Sequence, residues 1–141
     1  MPVSEWSEPV PDDRGQCRTI DLGRKVAAID GFWQPRVVAE MNDYQFKVVK
    51  LEGEFVWHAH ADTDETFVVL DGELEIDIRG VPSAAPTLSL RAGQMAVVPK
   101  GVEHRPRALG EVRVLLIEPR GVVNTGDGVR TERTADNDRW I

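Results

Sequence analysis

The 141-residue sequence has little cysteine and no long apolar run. Cys17 is the only cysteine, so no internal disulfide can form and the fold must rest on its core. No apolar run approaches the roughly 20 residues that a membrane-spanning helix needs. The start, Met1-Pro2-Val3-Ser4-Glu5, lacks the basic and apolar regions of a secretory signal. We therefore expect a cytoplasmic protein that does not contact a membrane.

Basic residues and helical patterns are also scarce. The chain has 17 Lys and Arg against 24 Asp and Glu, which gives a net charge of −7. A negative surface repels phosphate backbones, so the composition disfavours a nucleic-acid partner. No 3.6-residue period of useful length occurs, and neither a Ser/His/Asp set nor a phosphate-binding glycine loop is recognisable. Hydrophobic residues make up 41% of the chain, which is ordinary for one globular domain.

Short runs rich in Val, Ile and Phe dominate the middle of the chain, separated by Gly, Pro and Asp. In residues 73–79 the apolar side chains occupy every second position, as in a half-buried strand. The patterns predict eight strands, at residues 36–41, 44–51, 54–58, 65–70, 73–79, 87–90, 94–98 and 112–118. Asp71-Gly72 predicts a hairpin turn between two of them. Eight short strands indicate an all-β sandwich or small barrel.

Three segments follow from this pattern. Residues 1–35 form an N-terminal arm, whose Trp6 we expect to pack on the barrel or on a partner subunit, unless the first residues are disordered. Residues 36–118 form the barrel, and residues 119–141 form a polar C-terminal extension. The apolar end of this extension, Trp140-Ile141, either docks onto the barrel or frays. Residues 112–117 are apolar on both faces, which predicts a cover on each side, and a second subunit is one candidate.

Four side chains form a candidate metal site. His58 and His60 share one face of a strand, about 7 Å apart at the backbone from a rise of roughly 3.3 Å per residue. Glu65 opens the next strand, and an antiparallel return brings it beside them. His104 follows Pro99 and Gly101, whose turn can aim it inward. Half-exposed histidines on a sheet are common, but here every histidine of the chain fits one site.

Three imidazoles and one carboxylate suit one divalent transition metal: iron, manganese, cobalt, nickel, copper or zinc. They do not suit calcium, which prefers oxygen ligands. Open positions on such an ion would admit water, dioxygen or a substrate oxygen. The residues leave open which metal binds, and whether Glu65 is a permanent ligand or a mobile base.

The same residues resemble the two motifs of the cupin superfamily. The first motif is a glycine, His-x-His, a glutamate and a second glycine, here Gly53, His58-Ala59-His60, Glu65 and Gly72. The second is glycine, Pro-x-Gly and histidine, here Gly93, Pro99-Lys100-Gly101 and His104. Gly53 stands one residue closer to His58 than is usual, and Ala108 occupies the usual asparagine position. Small single-domain bacterial cupins are the most similar group, which also shares Leu116-Ile117-Glu118-Pro119 followed by Asn124-Thr125-Gly126.

The resemblance implies an antiparallel double-stranded β-helix, or jelly-roll barrel, usually as a homodimer. It also implies that the ion lies in the barrel mouth, held by His58, His60, Glu65 and His104. Most members of this group have no assigned reaction, so the resemblance supports the metal and constrains the substrate little.

Side chains alternate between the two faces of a strand, and this alternation makes Phe67, Met95 and Val97 possible pocket-wall residues. Plain core packing is the alternative. Trp57 lies one position before His58, on the opposite face of the predicted strand, and is expected to face outward. The most favoured function is a metal-dependent enzyme of dioxygenase, isomerase or cyclase type, acting on a small organic substrate that chelates the ion. The alternatives are a non-catalytic module that binds a metal or a small metabolite, and a storage-like protein whose site is inactive.

Overall fold

The computed structural model describes residues 17–82 and 84–141, and in them the chain is mostly antiparallel sheet. A helix, α1 (Leu22–Ala27), precedes six strands: β1 (Arg36–Met41), β2 (Tyr44–Glu54), β3 (Glu65–Arg79), β4 (Thr87–Arg91), β5 (Met95–Val98) and β6 (Glu103–Pro119). The strand order is β1-β2-β6-β3-β4, and β5 pairs with β3. The predicted all-β jelly-roll barrel is confirmed. Within the described residues, no helix has the length and apolar character to cross a membrane.

Two long strands, β3 and β6, form the frame of the barrel. β3 is continuous through Asp71-Gly72, so the predicted hairpin turn is wrong. The register between β3 and β6 shifts on both sides of Asp71, and Gly72 has a φ of +92°. A side chain at Gly72 would come within 2.8 Å of the Glu111 carbonyl oxygen. The dipeptide therefore forms a bulge that bends the strand, as barrel corners require.

The core lies inside the barrel, on the inward face of β2, β3 and β6. Along β6 the inward side chains Val112, Val114 and Leu116 are at most 6% exposed. Leu115 points to the outer face and packs in a second cluster, which also contains Val26 and Ile141. The second cover predicted for residues 112–117 is thus supplied by the chain itself, through α1 and its C-terminal end.

Helix α1 was not predicted, because six residues are too few to show a helical period. Asp21 caps its N-terminus, where Oδ1 accepts a hydrogen bond from the Arg24 N–H at 3.0 Å. Trp140 forms a bridge with Val37, and Ile141 N–H donates to the Val37 carbonyl at 3.1 Å. Of the two alternatives for Trp140-Ile141, docking is confirmed. The expected packing of Trp6 lies outside the described residues.

Candidate metal centre

The structure brings His58, His60, Glu65 and His104 together in one buried cluster. Each offers a donor atom within 4.8 Å of the others, and their side chains are among the most buried polar groups of the described residues. His104 is 1% exposed and His60, at 7%, is the most exposed of the four. Burial of so many polar groups requires partners. The cluster can hold a metal ion.

The backbone around His58 is not a regular strand, in contrast to the predicted strand at residues 54–58. β2 ends at Glu54, and His58 pairs only with His104, in an isolated bridge. His58 N–H donates to the His104 carbonyl at 3.0 Å, and His104 N–H donates to the His58 carbonyl at 2.9 Å. Glu65 is the first residue of β3 and His104 the second of β6. This bridge links the two halves of the site.

Backbone carbonyls fix the tautomers of two imidazoles. His58 Nδ1 lies 3.0 Å from the Val56 carbonyl oxygen, and His104 Nδ1 lies 2.9 Å from the Val102 carbonyl oxygen. A carbonyl oxygen only accepts, so both Nδ1 atoms carry a hydrogen and donate it. Each Nε2 is then free to offer its lone pair to a metal. This is the outer-shell pattern that metal-binding histidines commonly show.

Glu65 lies at the focus of the cluster. Its Oε1 is 3.2 Å from His104 Nε2 and 3.5 Å from His60 Nε2. His60 Nε2 is buried and has no hydrogen-bond partner among the described residues. Neutral imidazole lone pairs facing a carboxylate repel it, whereas a cation between them satisfies all these atoms. The donor set therefore fits a divalent transition metal.

The pKa values in the site follow from burial and mutual charge. Burial and the charge of His104 lower the pKa of His58 to about 4, so His58 is neutral at pH 7. For His60, burial opposes protonation, but the Glu65 carboxylate outweighs it and the pKa is raised. Burial opposes ionisation of Glu65, yet its close contacts with His104 and His60 hold its pKa well below its usual range. Glu65 is a carboxylate, as a ligand must be.

A second buried carboxylate lies beside Glu65. The β3–β6 register pairs Thr66 with Ile117, which places Glu118 across from Glu65. Burial raises the pKa of Glu118 to about 8, the negative charge of Glu65 adds to this rise, and Lys47 partly offsets it. Lys47 Nζ lies 2.7 Å from Glu118 Oε1. Lys47 was not singled out from the sequence, and Glu118 entered only as part of the Leu116-Ile117-Glu118-Pro119 motif, without a role.

A narrow apolar cavity of about 30 Å³ opens beside the cluster. His58, Glu65 and Asn124 are its polar lining residues. The remaining wall is apolar, formed by Trp33, Pro35, Val49, Leu51, Phe55, Phe67, Pro106 and Leu116. A ligand in this cavity would meet the metal site with one end and hydrocarbon surface with the other.

Of the three predicted wall residues, one lies in the wall and two do not. Phe67 lines the cavity, and its ring contacts His104 edge-on at 6.2 Å between centroids. Met95 and Val97 are 57% and 50% exposed on the outer face of β5, so their assignment to the pocket was wrong. Their neighbours Ala96 and Val98 pack on the core instead. The run Met95-Ala96-Val97-Val98 is apolar throughout, so its sequence does not reveal which face is buried.

Most of the cavity wall was missed from the sequence. Trp33 stacks on Phe55 with 4.5 Å between ring centroids and 10° between planes. Phe55 in turn contacts His58 edge-on at 5.4 Å. Asn124 donates from Nδ2 to the Trp33 carbonyl oxygen at 3.4 Å. Asn124 belongs to a motif typical of the small cupins, which was the one available signal for it.

Trp57 follows the prediction from parity and lies away from the cluster. The guanidinium carbons of Arg79 and Arg105 lie 4.2 Å and 5.0 Å from its ring centroid. These are cation–π contacts on the outer surface of the barrel. Trp57 therefore contributes to packing outside the barrel.

The fold and the site define a barrel-shaped domain with a buried three-histidine, one-carboxylate cluster. The cupin-domain family model matches residues 46–118. The chain belongs to the cupin family.

Three relatives illustrate this membership. A cupin-2 domain protein of Shewanella frigidimarina NCIMB 400 is 53% identical, with a TM-score of 0.66 over 72% of this chain and 94% of that one. Protein NMB1881 of Neisseria meningitidis is 36% identical, with a TM-score of 0.64 over 72% and 99% of the two chains. The uncharacterized protein YdbB of Bacillus subtilis (strain 168) is 37% identical over 81 residues, which cover 57% of this chain and 68% of YdbB.

Proposed function

We propose that this protein is a metal-dependent enzyme of the dioxygenase type, acting on a small organic molecule with an apolar body and metal-chelating oxygens. The observation that carries the proposal is the position of the four-residue cluster at one side of an apolar cavity. His58, His60, Glu65 and His104 would hold one divalent transition metal. When bound, the ion supplies Lewis acidity and, if redox-active, electron transfer between substrate and dioxygen.

The chemistry of the cavity wall supports this substrate class. Its described lining residues include no Lys or Arg, so an anionic group far from the metal would lose its hydration without a partner. The rings of Trp33 and Phe55 instead offer apolar surface. A flat or aliphatic body with two neighbouring oxygens at one end matches both parts of the cavity.

The absence of a separate base among these lining residues supports the reaction class. His58 and Glu65 are the titratable groups in the wall, and both belong to the metal cluster. Isomerisation or cyclisation commonly requires a side chain that moves a proton. A dioxygenase reaction, in which the substrate is oxidised and takes up both oxygen atoms of O₂, makes less demand on such a base. We therefore favour it over the isomerase and cyclase types.

Metal analysis with oxygen uptake tests the proposal. The purified protein, reconstituted separately with Fe(II), Mn(II), Ni(II), Cu(II) and Zn(II), is screened against small diphenols and diketones in an oxygen electrode. We expect one O₂ consumed per substrate with a redox-active metal, and neither metal nor activity in His104→Ala. Glu103→Gln, an exposed neighbour of His104, is the matched control. A compound that raises the melting temperature but is never converted would instead support the non-catalytic binding module.

We also propose a cytoplasmic homodimer. The exposed side chains of Met95 and Val97 on β5 support a dimer. Thr66 pairs with Val97 on one side and with half-buried Ile117 on the other, so these three residues form one row across the outer face of the sheet. A single exposed cysteine, Cys17, suits a reducing compartment. Light scattering should give twice the chain mass for the wild type and the chain mass for Val97→Arg. A monomeric wild type would contradict the dimer.

A further inference from the structure

A segment beyond the residues matched by the family packs directly on the metal cluster. The match ends at residue 118, and residues 124–128, Asn-Thr-Gly-Asp-Gly, lie in the C-terminal extension. Ala59, between the two histidines, donates its N–H to Asp127 Oδ1 at 2.7 Å. Asp127 donates its own N–H to the Ala59 carbonyl oxygen at 3.0 Å. Both backbone polar groups of Ala59 are thus bonded to Asp127.

This pairing matters because the backbone of residues 58–60 has little other support. His58 is held by its bridge with His104, and the His60 carbonyl accepts a hydrogen bond from Gly101 N–H at 2.8 Å. Ala59 is 5% exposed and belongs to no strand. Without Asp127, its N–H would be buried with no partner, which is costly enough to move the segment.

Two glycines allow the close approach. A side-chain carbon at Gly126 would overlap the Ala59 carbonyl oxygen and lie 3.0 Å from His60 Nδ1. One at Gly128 would lie 2.9 Å from both His58 Cβ and the Trp57 carbonyl oxygen. Real side-chain carbons do not tolerate such distances, so only glycine permits this contact at both positions.

The segment is itself fixed to the rest of the extension. Asn124 Nδ2 donates to the Arg133 carbonyl oxygen at 2.8 Å, and Ala135 N–H donates to Asn124 Oδ1 at 2.9 Å. Thr125 is 1% exposed. Residues 124–128 are therefore anchored to the rest of the extension.

We propose that Asp127 is a positioning residue of the metal centre, which fixes the backbone of residues 58–60 so that His58 and His60 face Glu65 and His104. It acts through Ala59 and does not belong to the group of converging donor atoms, which is His58, His60, Glu65 and His104. The role depends on an acceptor oxygen at this place and not on negative charge. This inference rests on the proposed metal function.

Titration with Co(II) alone tests the role, because this ion reports both affinity and ligand geometry through its visible spectrum. We expect Asp127→Ala and Gly126→Ala to weaken Co(II) binding by about 10- to 100-fold, the range typical of outer-shell partners. Asp127→Asn retains an acceptor oxygen and should bind close to the wild-type value. Asn137→Ala is the matched control, since it removes a hydrogen bond to the Gly121 carbonyl elsewhere in the extension.

Two further comparisons distinguish a role of Asp127 in positioning the metal ligands from a general loss of stability. In the Co(II)-saturated protein, Asp127→Ala should change the position or intensity of the visible bands, whereas Asn137→Ala should not, whatever its melting temperature. Wild-type affinity and spectrum in Asp127→Ala, or an equal loss in Asn137→Ala, would overturn the inference. If Asp127→Ala does not fold, the comparison of Gly126→Ala with Asp127→Asn decides in the same way. A wild type that binds no Co(II) would instead overturn the metal function itself.

Discussion

Lys47 and Glu118 form an ion pair inside the barrel, with Nζ and Oε1 2.7 Å apart and side chains 4% and 2% exposed. They come from neighbouring strands, since β2 pairs with β6, and Glu118 also borders Glu65. Such a pair contributes little net stability, because desolvation of two charges offsets their attraction. Loss of one partner is different, because the remaining charge stays buried alone.

Lys47→Met should therefore destabilise the metal-free protein by about 3–5 kcal/mol, as for other broken buried pairs. Urea unfolding at pH 9 measures the change, because Glu118, whose pKa burial raises to about 8, is largely protonated at pH 7. The double variant Lys47→Met/Glu118→Gln should recover most of the loss, since it removes both charges and keeps the volumes similar. A double variant no more stable than Lys47→Met would show that packing and not the unpaired charge causes the loss.

Metal affinity should fall as the pH falls, because protons compete for the histidine nitrogens. The pKa of His60 is raised above its ordinary value of about 6.5 by Glu65, so competition should begin above that pH. His58, with a pKa near 4, and Glu65, with a pKa held low, should contribute little in this range. Co(II) titrations between pH 8 and 5.5 should show affinity decreasing by up to about tenfold per pH unit for each proton that the metal displaces. A flat profile would contradict the raised pKa of His60.

Ionised Asp77 should stabilise the folded protein, and this stabilisation should be lost at acid pH. Hydrogen bonds from Arg107 outweigh partial burial, and Arg105 and Thr87 add to them, so the pKa of Asp77 lies well below its usual range. A depressed pKa stabilises the fold above the unfolded value of about 3.9, and this contribution is lost as the pH falls through the folded value. Asp77→Asn should lower the melting temperature at pH 7, and its difference from the wild type should shrink below about pH 4.

The control for Asp77 is Glu111→Gln, whose partner Arg113 lies in a more exposed pair. Exposed pairs are worth little, so this variant should melt close to the wild type. A pH-independent deficit in Asp77→Asn would show that the lost packing, and not the charge, accounts for the effect.

The sequence predicted those features of the fold and the site that depend on short sequence patterns, and it did not reveal those that depend on contacts between distant residues. His58, His60 and His104 could be grouped with Glu65 because they are the three histidines of the chain and the spacings fit strand geometry. The bulge at Asp71-Gly72 could not be distinguished from a turn, since both need a residue at positive φ. The roles of Lys47 and Glu118 arise from strand pairing across 71 residues, which one sequence does not reveal.

The residues of the cavity wall were equally difficult to identify from short sequence patterns. Trp33 reaches the site from before β1, and Asn124 and Asp127 reach it from after β6. The contacts of Trp33 with Phe55 and of Asp127 with Ala59 join three distant parts of the chain. Only the family resemblance drew attention to residues 124–126, and it gave them no role.

Trp33 offers a test of the cavity wall that leaves the metal ligands untouched. It stacks on Phe55, and its Nε1 donates to the Glu52 carbonyl oxygen at 3.0 Å. Its backbone φ of 62° is unusual for a bulky residue, so the surrounding contacts must hold it there. Trp33→Ala should destabilise the protein by about 3–5 kcal/mol in urea unfolding, since it leaves a cavity in the core.

The same variant should separate substrate binding from metal binding. Trp33 stacks on Phe55, which in turn contacts His58, and Trp33 is not a metal ligand. Co(II) affinity in Trp33→Ala should therefore stay close to the wild type at temperatures where the variant is folded. The KM for an apolar substrate should rise, because the ring that would cover its body is gone. Trp57→Ala is the control, since this ring lies on the outer surface under Arg79 and Arg105 and should affect neither quantity. A loss of Co(II) affinity in Trp33→Ala that Trp57→Ala does not share would assign Trp33 to the support of the metal site instead.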